Sequence, residues 1–178
     1  MIALLRAADR IAKPWKNGGG VTREVWVSPQ GAALDAFDWR VSIADVTAPG
    51  PFSRFDGIDR SLAIMSGRMR LAFPAYEVEL GTNSDPHRFP GEWPCHGTPI
   101  SGPVTDLNLM TRRGRIRASM GRIPGQGETH GAALIVAQTP SELRAGNCRE
   151  ILSPLDAVMI DGPVTFSLNG MAFIVRMD

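Results

Sequence analysis

Short runs of alternating apolar and polar residues make up most of this chain, and each is closed by a turn signal. The runs are Val21 to Val27, Trp39 to Val46, Ser61 to Met65, Met69 to Phe73, Tyr76 to Leu80 and Val104 to Met110. They continue with Ile116 to Ile123, Ala132 to Ala137, Ala157 to Ile160, Val164 to Leu168 and Met171 to Arg176. A period of two with frequent β-branched residues predicts strands. Ser66-Gly67, Gly81-Thr82-Asn83, Pro90-Gly91, Asp161-Gly162-Pro163 and Asn169-Gly170 supply turns between them. No segment holds a helical period over three turns. The best helix candidates are the short Asp35 region and Ser141 to Arg144. The pattern predicts an all-β protein, sandwich or barrel.

Two segments read as hairpins turning at a polar-Gly pair: Leu62 to Leu71, and Thr165 to Val175. Each fits into its own small barrel, a faint sign of internal duplication. The Gly/Pro-rich stretch Gly121 to Gly131 is the natural place to divide the halves. At 178 residues the chain accommodates one sizeable core or two small lobes sharing one.

Composition narrows the function classes. A net charge of +1 argues against nucleic acid or an anionic membrane as partner. The local basic run Arg112 to Arg117 reads more simply as the wet face of a strand. No apolar run approaches the ~20 residues that span a bilayer, and Met1 to Arg6 is too short and too soon charged for a signal peptide. Cys95 and Cys148 lie far apart, with neither metal-ligand nor redox spacing. A cytoplasmic protein with free thiols is expected, with no cofactor and no metal, and a homodimer is allowed for. The three histidines, His87, His96 and His130, read as surface-loop residues because none lies in a short ligand motif.

Three consecutive glycines in Trp15-Lys16-Asn17-Gly18-Gly19-Gly20-Val21-Thr22-Arg23-Glu24 free the backbone for positive φ and close approach. A phosphate loop is excluded by context, since a strand rather than a helix follows. In Trp39 to Val46, Arg40, Ser42 and Ala44 share one strand face, and Trp39, Val41, Ile43 and Asp45 the other. Two polar residues beside a small alanine suit either a solvated face or a barrel cavity. Gly50-Pro51-Phe52-Ser53-Arg54-Phe55-Asp56-Gly57-Ile58-Asp59-Arg60 then packs aromatics, arginines and aspartates around glycine turns. That composition suits a small-ligand pocket, or equally two phenylalanines covering a barrel end. In Val104 to Met110, Asp106 and Asn108 lie on one face and the leucines on the other. No nucleophile elbow is present, and the adjacent Cys95 and His96 point apart on an extended chain.

Together the blocks Trp15 to Glu24, Trp39 to Val46, Gly50 to Arg60 and Gly102 to Met110 resemble the HutD/Ves family in order, spacing and wording, and Arg112-Arg113 continues the last. The resemblance covers most of residues 15 to 113; beyond them only the strand pattern is similar. It implies a cupin-like (bicupin) β-barrel forming one domain, 1–178. Its N-terminal half would run to about residue 120, and residues 121–178 with exchanged strands would form the other. It also implies a link to histidine utilisation, with a regulatory or protective role and binding of urocanate, formylglutamate or formate. The Ves branch is associated with cold or stress response.

Carried over by position, the ligand-binding candidates are Lys16, Asn17, Thr22 and Glu24, then Arg40, Ser42 and Asp45. Ser53, Phe55, Asp59 and Arg60 follow from the third block, and Asp106 and Asn108 from the fourth. Arg40 is expected to clamp a carboxylate, with Lys16 adding a point charge. Asn17 or Ser42 would orient the ligand, and Glu24 or Asp106 would hold the arginine or recognise an N–H. The leading expectation is a metal-independent, non-catalytic sensor of a small carboxylate. The alternative is a metal-independent isomerase or hydrolase with Glu24 or Asp106 as general base. In a third reading the polar blocks merely close the barrel.

Overall fold

A computed structural model describes residues 1–123 and 125–177; Pro124, inside the glycine-rich stretch, and Asp178 lie outside the described residues. Nearly every predicted run is a strand, because β-branched and aromatic residues recur with a period of two and glycine or proline stops each run. The strands are β1 (Ile2–Leu5), β2 (Ala12–Pro14), β3 (Gly20–Ser28), β4 (Trp39–Val46), β5 (Gly50–Pro51), β6 (Ile58–Ser66) and β7 (Arg68–Ala72). Next come β8 (Glu77–Gly81), β9 (His87–Pro90), β10 (His96–Pro99), β11 (Val104–Arg112), β12 (Ala118–Arg122) and β13 (Gln126–Thr129). The last are β14 (Ala133–Ala137), β15 (Ser141–Ala145), β16 (Cys148–Leu152), β17 (Ala157–Ile160), β18 (Val164–Asn169) and β19 (Ala172–Met177). A single turn of 3-10 helix spans Ala7–Asp9. No helix among the described residues is long and apolar enough to cross a membrane.

Two compact units form. One is Ile11–Ile116; the other joins Met1–Arg10 to the chain from Arg117 onward. In the first, a six-stranded sheet ordered β2-β3-β4-β11-β6-β9 accompanies a four-stranded sheet ordered β5-β10-β7-β8. Leu62, Ile64 and Val46 from the larger sheet pack with Met69, Leu71 and Leu80 from the smaller. In the second unit a five-stranded sheet, β1-β17-β14-β19-β12, packs on a four-stranded one, β13-β18-β15-β16. Ile135, Val158 and Ile174 there meet Leu143, Leu152 and Phe166. Each such fully buried side chain contributes roughly 1.5–3 kcal/mol.

The expectation of closed β-barrels is corrected. None of the four sheets closes on itself: each ends in two edge strands, so each unit is a pair of open sheets around a core. In the first unit the chain itself stops the ladders. Pro14 ends β2, Pro51 ends the two-residue β5 and Pro90 ends β9. A proline has no N–H to offer a further strand. The fold is all-β and cupin-like, with two sheet halves.

Two local expectations also change. Ser141–Ala145 is a strand, with Ser141, Leu143 and Ala145 buried and Glu142 and Arg144 turned outward; the Asp35 region is a set of turns. The Ser66-Gly67 and Asn169-Gly170 turns do not make hairpins. β6 and β7 belong to different sheets, as do β18 and β19, so both turns are corners between layers. Gly67 has φ +81° and a Cβ there would sit 2.7 Å from the Pro103 carbonyl; at Gly170, with φ +133°, a Cβ would strike Ser141 Oγ. Both units thus use glycine for the same corner.

Candidate functional site

The cavity lies within the first unit and is set out by strand register. On one face of the six-stranded sheet, Glu24, Ser42, Asn108 and Leu62 form one cross-strand row. Thr22, Ala44, Asp106 and Ile64 form the next, and Arg40, Met110 and Arg60 a third. The face changes character along its strands. Ala44, Val46, Leu62 and Ile64 enter the apolar core, while Arg40, Ser42, Arg60, Asn108 and Asp106 line a cavity of about 490 Å³. Ser42 and Ala44 are short side chains, which leaves room there.

Two loops complete the walls. Pro51, Phe52, Ser53 and Phe55 line one side; the Phe52 N–H donates to the Cys95 carbonyl at 2.8 Å and the Phe55 N–H to Gly91 at 2.9 Å. Lys13, Pro14, Trp15, Lys16 and Asn17 line the other. That second loop closes on itself. The Trp15 N–H donates to Gly20 O at 2.9 Å, and Trp15 Nε1 donates to Thr22 Oγ1 at 2.7 Å. The Gly19 N–H donates to Asn17 Oδ1 at 3.0 Å. Of the three glycines, Gly18 takes the positive φ (+72°), and Gly20 permits the close approach: a Cβ there would lie 2.6 Å from Asp45 O. Leu34, 57% exposed, completes the rim.

Two buried arginines dominate the electrostatics, each 7% exposed. Arg40 donates from Nε to Glu24 Oε2 at 2.9 Å and from Nη1 to Ser42 Oγ at 3.1 Å. Arg60 donates from Nε to Asn108 Oδ1 at 3.4 Å and from Nη1 to Ser53 O at 3.3 Å. Its guanidinium carbon sits over the rings of Phe52 (5.1 Å), Phe89 (5.2 Å) and Phe55 (5.8 Å). Both Nη2 groups have no acceptor among the described residues. Burial lowers Arg60 to about 10, although Asp106 and Cys95 oppose the shift. Asp106, 3% exposed, is the acidic residue among the lining groups. Burial pushes it up to about 7; Arg60 pulls it down and Asp45 adds to the rise.

Of the candidates drawn from the sequence, the structure brings Lys16, Asn17, Thr22, Arg40, Ser42, Ser53, Phe55, Arg60, Asp106 and Asn108 around this cavity. Glu24 stands behind the lining and holds Arg40. Asp45 and Asp59 lie outside it, because each is one residue along a strand from a lining residue and so faces the other way. Asp45 takes Arg23 Nη1 at 2.5 Å and Thr105 Oγ1 at 2.8 Å; Asp59 takes Arg113 Nη2 at 2.7 Å. The cavity is also lined by Lys13, Trp15, Leu34, Phe52 and Met110, which are not among the candidates drawn from the sequence. Trp15 and Phe52 stood inside the blocks already singled out; nothing local distinguishes Leu34. Among the described residues no group of three or more His, Cys, Asp or Glu is gathered that would hold a metal ion.

An open two-layer β unit with an arginine-lined cavity between its sheet and two loops defines a cupin-like protein with a polar pocket. The HutD family matches over residues 7–174, and the chain belongs to that family. It is 35% identical over 136 residues, 76% of this chain and 71% of the relative, to an uncharacterised 21.2 kDa protein in the hutC 3' region of Pseudomonas putida. Protein Ves of Citrobacter koseri is 36% identical over 109 residues, 60% of this chain but only 56% of Ves itself. The solved structure of HutD from Pseudomonas fluorescens SBW25, in a formate condition, superimposes with a TM-score of 0.87 at 29% identity, covering 99% of this chain and 98% of that one.

Proposed function

We propose that the cavity binds a small organic carboxylate and that the protein acts as a sensor or regulator rather than as a catalyst. The observation carrying this reading is the pair of buried arginines, each with its Nη2 unspent, on a cavity lined by Lys13, Lys16, Arg40 and Arg60 against the single acid Asp106. A guanidinium in a low-dielectric setting forms charge-assisted hydrogen bonds to carboxylate oxygens, roughly twice as strong as neutral ones. Trp15, Phe52, Phe55 and Met110 supply apolar wall for the rest of the ligand, and about 490 Å³ suits a small molecule. The relative in the hutC 3' region and the HutD structure in a formate condition favour acids of histidine degradation: urocanate, formylglutamate or formate.

An enzymic reading draws support from the buried Asp106 carboxyl, which burial brings up to about 7, a value suited to a general base near neutrality. Glu24 is less suited to that role, since Arg40 already occupies its carboxylate. Calorimetric titration with the three acids tests the main reading. Saturable binding by one of them, lost in Arg40→Ala, supports it; no heat and no thermal shift at millimolar concentration overturns it. Turnover of a bound acid that stops in Asp106→Asn would favour the enzyme.

A further inference from the structure

Asp106 occupies an unusual position for an acid in an arginine-lined cavity. It is 3% exposed, yet it forms no ion pair with Arg40 or Arg60 among the described residues. The arginines are engaged elsewhere: Arg40 with Glu24 and Ser42, Arg60 with Asn108 and the Ser53 carbonyl. Each keeps its Nη2 hydrogens without an acceptor among the described residues, and these are the donors an incoming anion would take. Once they are taken, the anion's charge offsets the pull that Arg60 exerts on an ionised Asp106.

We infer that this is a proton-coupled anion site, in which the bound anion draws one proton from solvent onto Asp106 and the neutral acid donates a hydrogen bond to an anion oxygen. This inference rests on the carboxylate-binding reading above. Two like charges sharing a desolvated site each favour a proton on the other, and Asp106 is the acid placed to take it. Burial already brings Asp106 to about 7, so the coupling falls at neutral pH. No covalent bond changes; the balance is one proton taken up per anion bound.

The surrounding charges are consistent with this assignment. From β3 comes Glu24, held by Arg40; from β4, Arg40 itself and Asp45, whose negative charge favours protonation. From β6 comes Arg60, with Cys95 near it, and at about 10 it stays charged through neutral pH. On β11 the neighbour Asn108 is neutral, and Lys13 and Lys16 line the adjoining loop. None of the three histidines lines the cavity. The coupling also selects the ligand: a neutral Asp106 donor favours a carboxylate oxygen, whereas an ionised Asp106 would favour an N–H.

Titration of formate into the native protein from about pH 6 to about pH 8.5, in buffers of different ionisation heat, tests this. Above neutral pH the expected result is close to one proton taken up per formate, with affinity falling about tenfold per pH unit. Asp106→Asn, which offers a permanent N–H donor, is expected to take up no proton and to bind formate more tightly than the native protein does at the top of that range. Saturable binding with no proton uptake and a flat pH profile overturns the inference while leaving the anion site standing. No binding of formate, or of urocanate or formylglutamate titrated in the same way, at any pH overturns both. The proton count on the native protein needs no variant, so a folding defect in Asp106→Asn leaves the test decisive.

Discussion

Arg40 Nε donates to Glu24 Oε2 at 2.9 Å, and this ion pair across β3 and β4 fixes which edge of the guanidinium faces the cavity. Arg40 is nearly fully buried while Glu24 is one-third exposed. Glu24 therefore sets the orientation of the guanidinium that lines the cavity, and it does so from outside the lining.

Glu24→Gln keeps a hydrogen-bond acceptor but removes the charge. It is expected to cost about 1 kcal/mol of stability and to weaken carboxylate binding about tenfold as Arg40 loses its fixed orientation. Arg40→Lys, which removes the planar fork, is expected to weaken binding at least as much. Calorimetry paired with urea unfolding separates the two effects.

Asp45→Ala and Asp59→Ala are the matching controls. Their carboxylates serve Arg23 and Arg113 away from the cavity, in pairs exposed enough to contribute only about 0–1 kcal/mol each. Below neutral pH, where Asp106 already holds its proton, both variants are expected to bind the ligand within about twofold of the native protein, a limit of about 0.4 kcal/mol. A larger loss in either would move the site away from the Arg40 face of the sheet.

The three glycines differ in what they tolerate. Gly20→Ala drives a Cβ to 2.6 Å from Asp45 O and 3.0 Å from the Trp15 ring, and is expected to destabilise by roughly 1–3 kcal/mol. Gly18→Ala, at φ +72°, costs about 1–2 kcal/mol through the left-handed backbone alone. Gly19→Ala meets only the Asn17 side chain at 3.4 Å and is expected to change stability by less than about 0.5 kcal/mol. Urea midpoints for the three variants check this ranking.

Asp106 also imposes a pH slope on folding. Its folded-state pKa of about 7 stands above the 3.8 of a free aspartate, chiefly through burial. The folded protein thus holds an extra proton between these values. Its contribution to stability is complete below about pH 4, declines as pH rises through 7, and is lost above that. Asp106→Asn removes this slope. The variant's stability relative to the native protein is expected to improve by roughly 2–4 kcal/mol between about pH 4 and pH 8. Urea unfolding of both proteins at the two pH values measures the difference.

The alternation in Trp39 to Val46 was legible because β4 has only two faces, and Arg40, Ser42 and Ala44 had to share one of them. The same rule placed Asp106 and Asn108 together on β11. It could equally have told Asp45 and Asp59 from their neighbours, but the resemblance of whole blocks drew them in. Leu34 was illegible, since an exposed leucine in a turn region carries no period. The two corners at Gly67 and Gly170 looked like hairpins because a turn sequence specifies the bend and says nothing about which sheet receives the next strand.

By itself the sequence determined the all-β class, the strand faces and the polar residues available on each, all consequences of local backbone geometry and a period of two. Only the tertiary structure decided that the sheets stay open, where proline ends a ladder. It also decided that one continuous sheet face divides into core and cavity. That division depends on what lies opposite the face: the β7 and β8 side chains near Leu62 and Ile64, but the Lys13–Asn17 and Pro51–Phe55 loops near Arg40 and Arg60. Long-range packing sets such a contact, and no local pattern in β4, β6 or β11 encodes it.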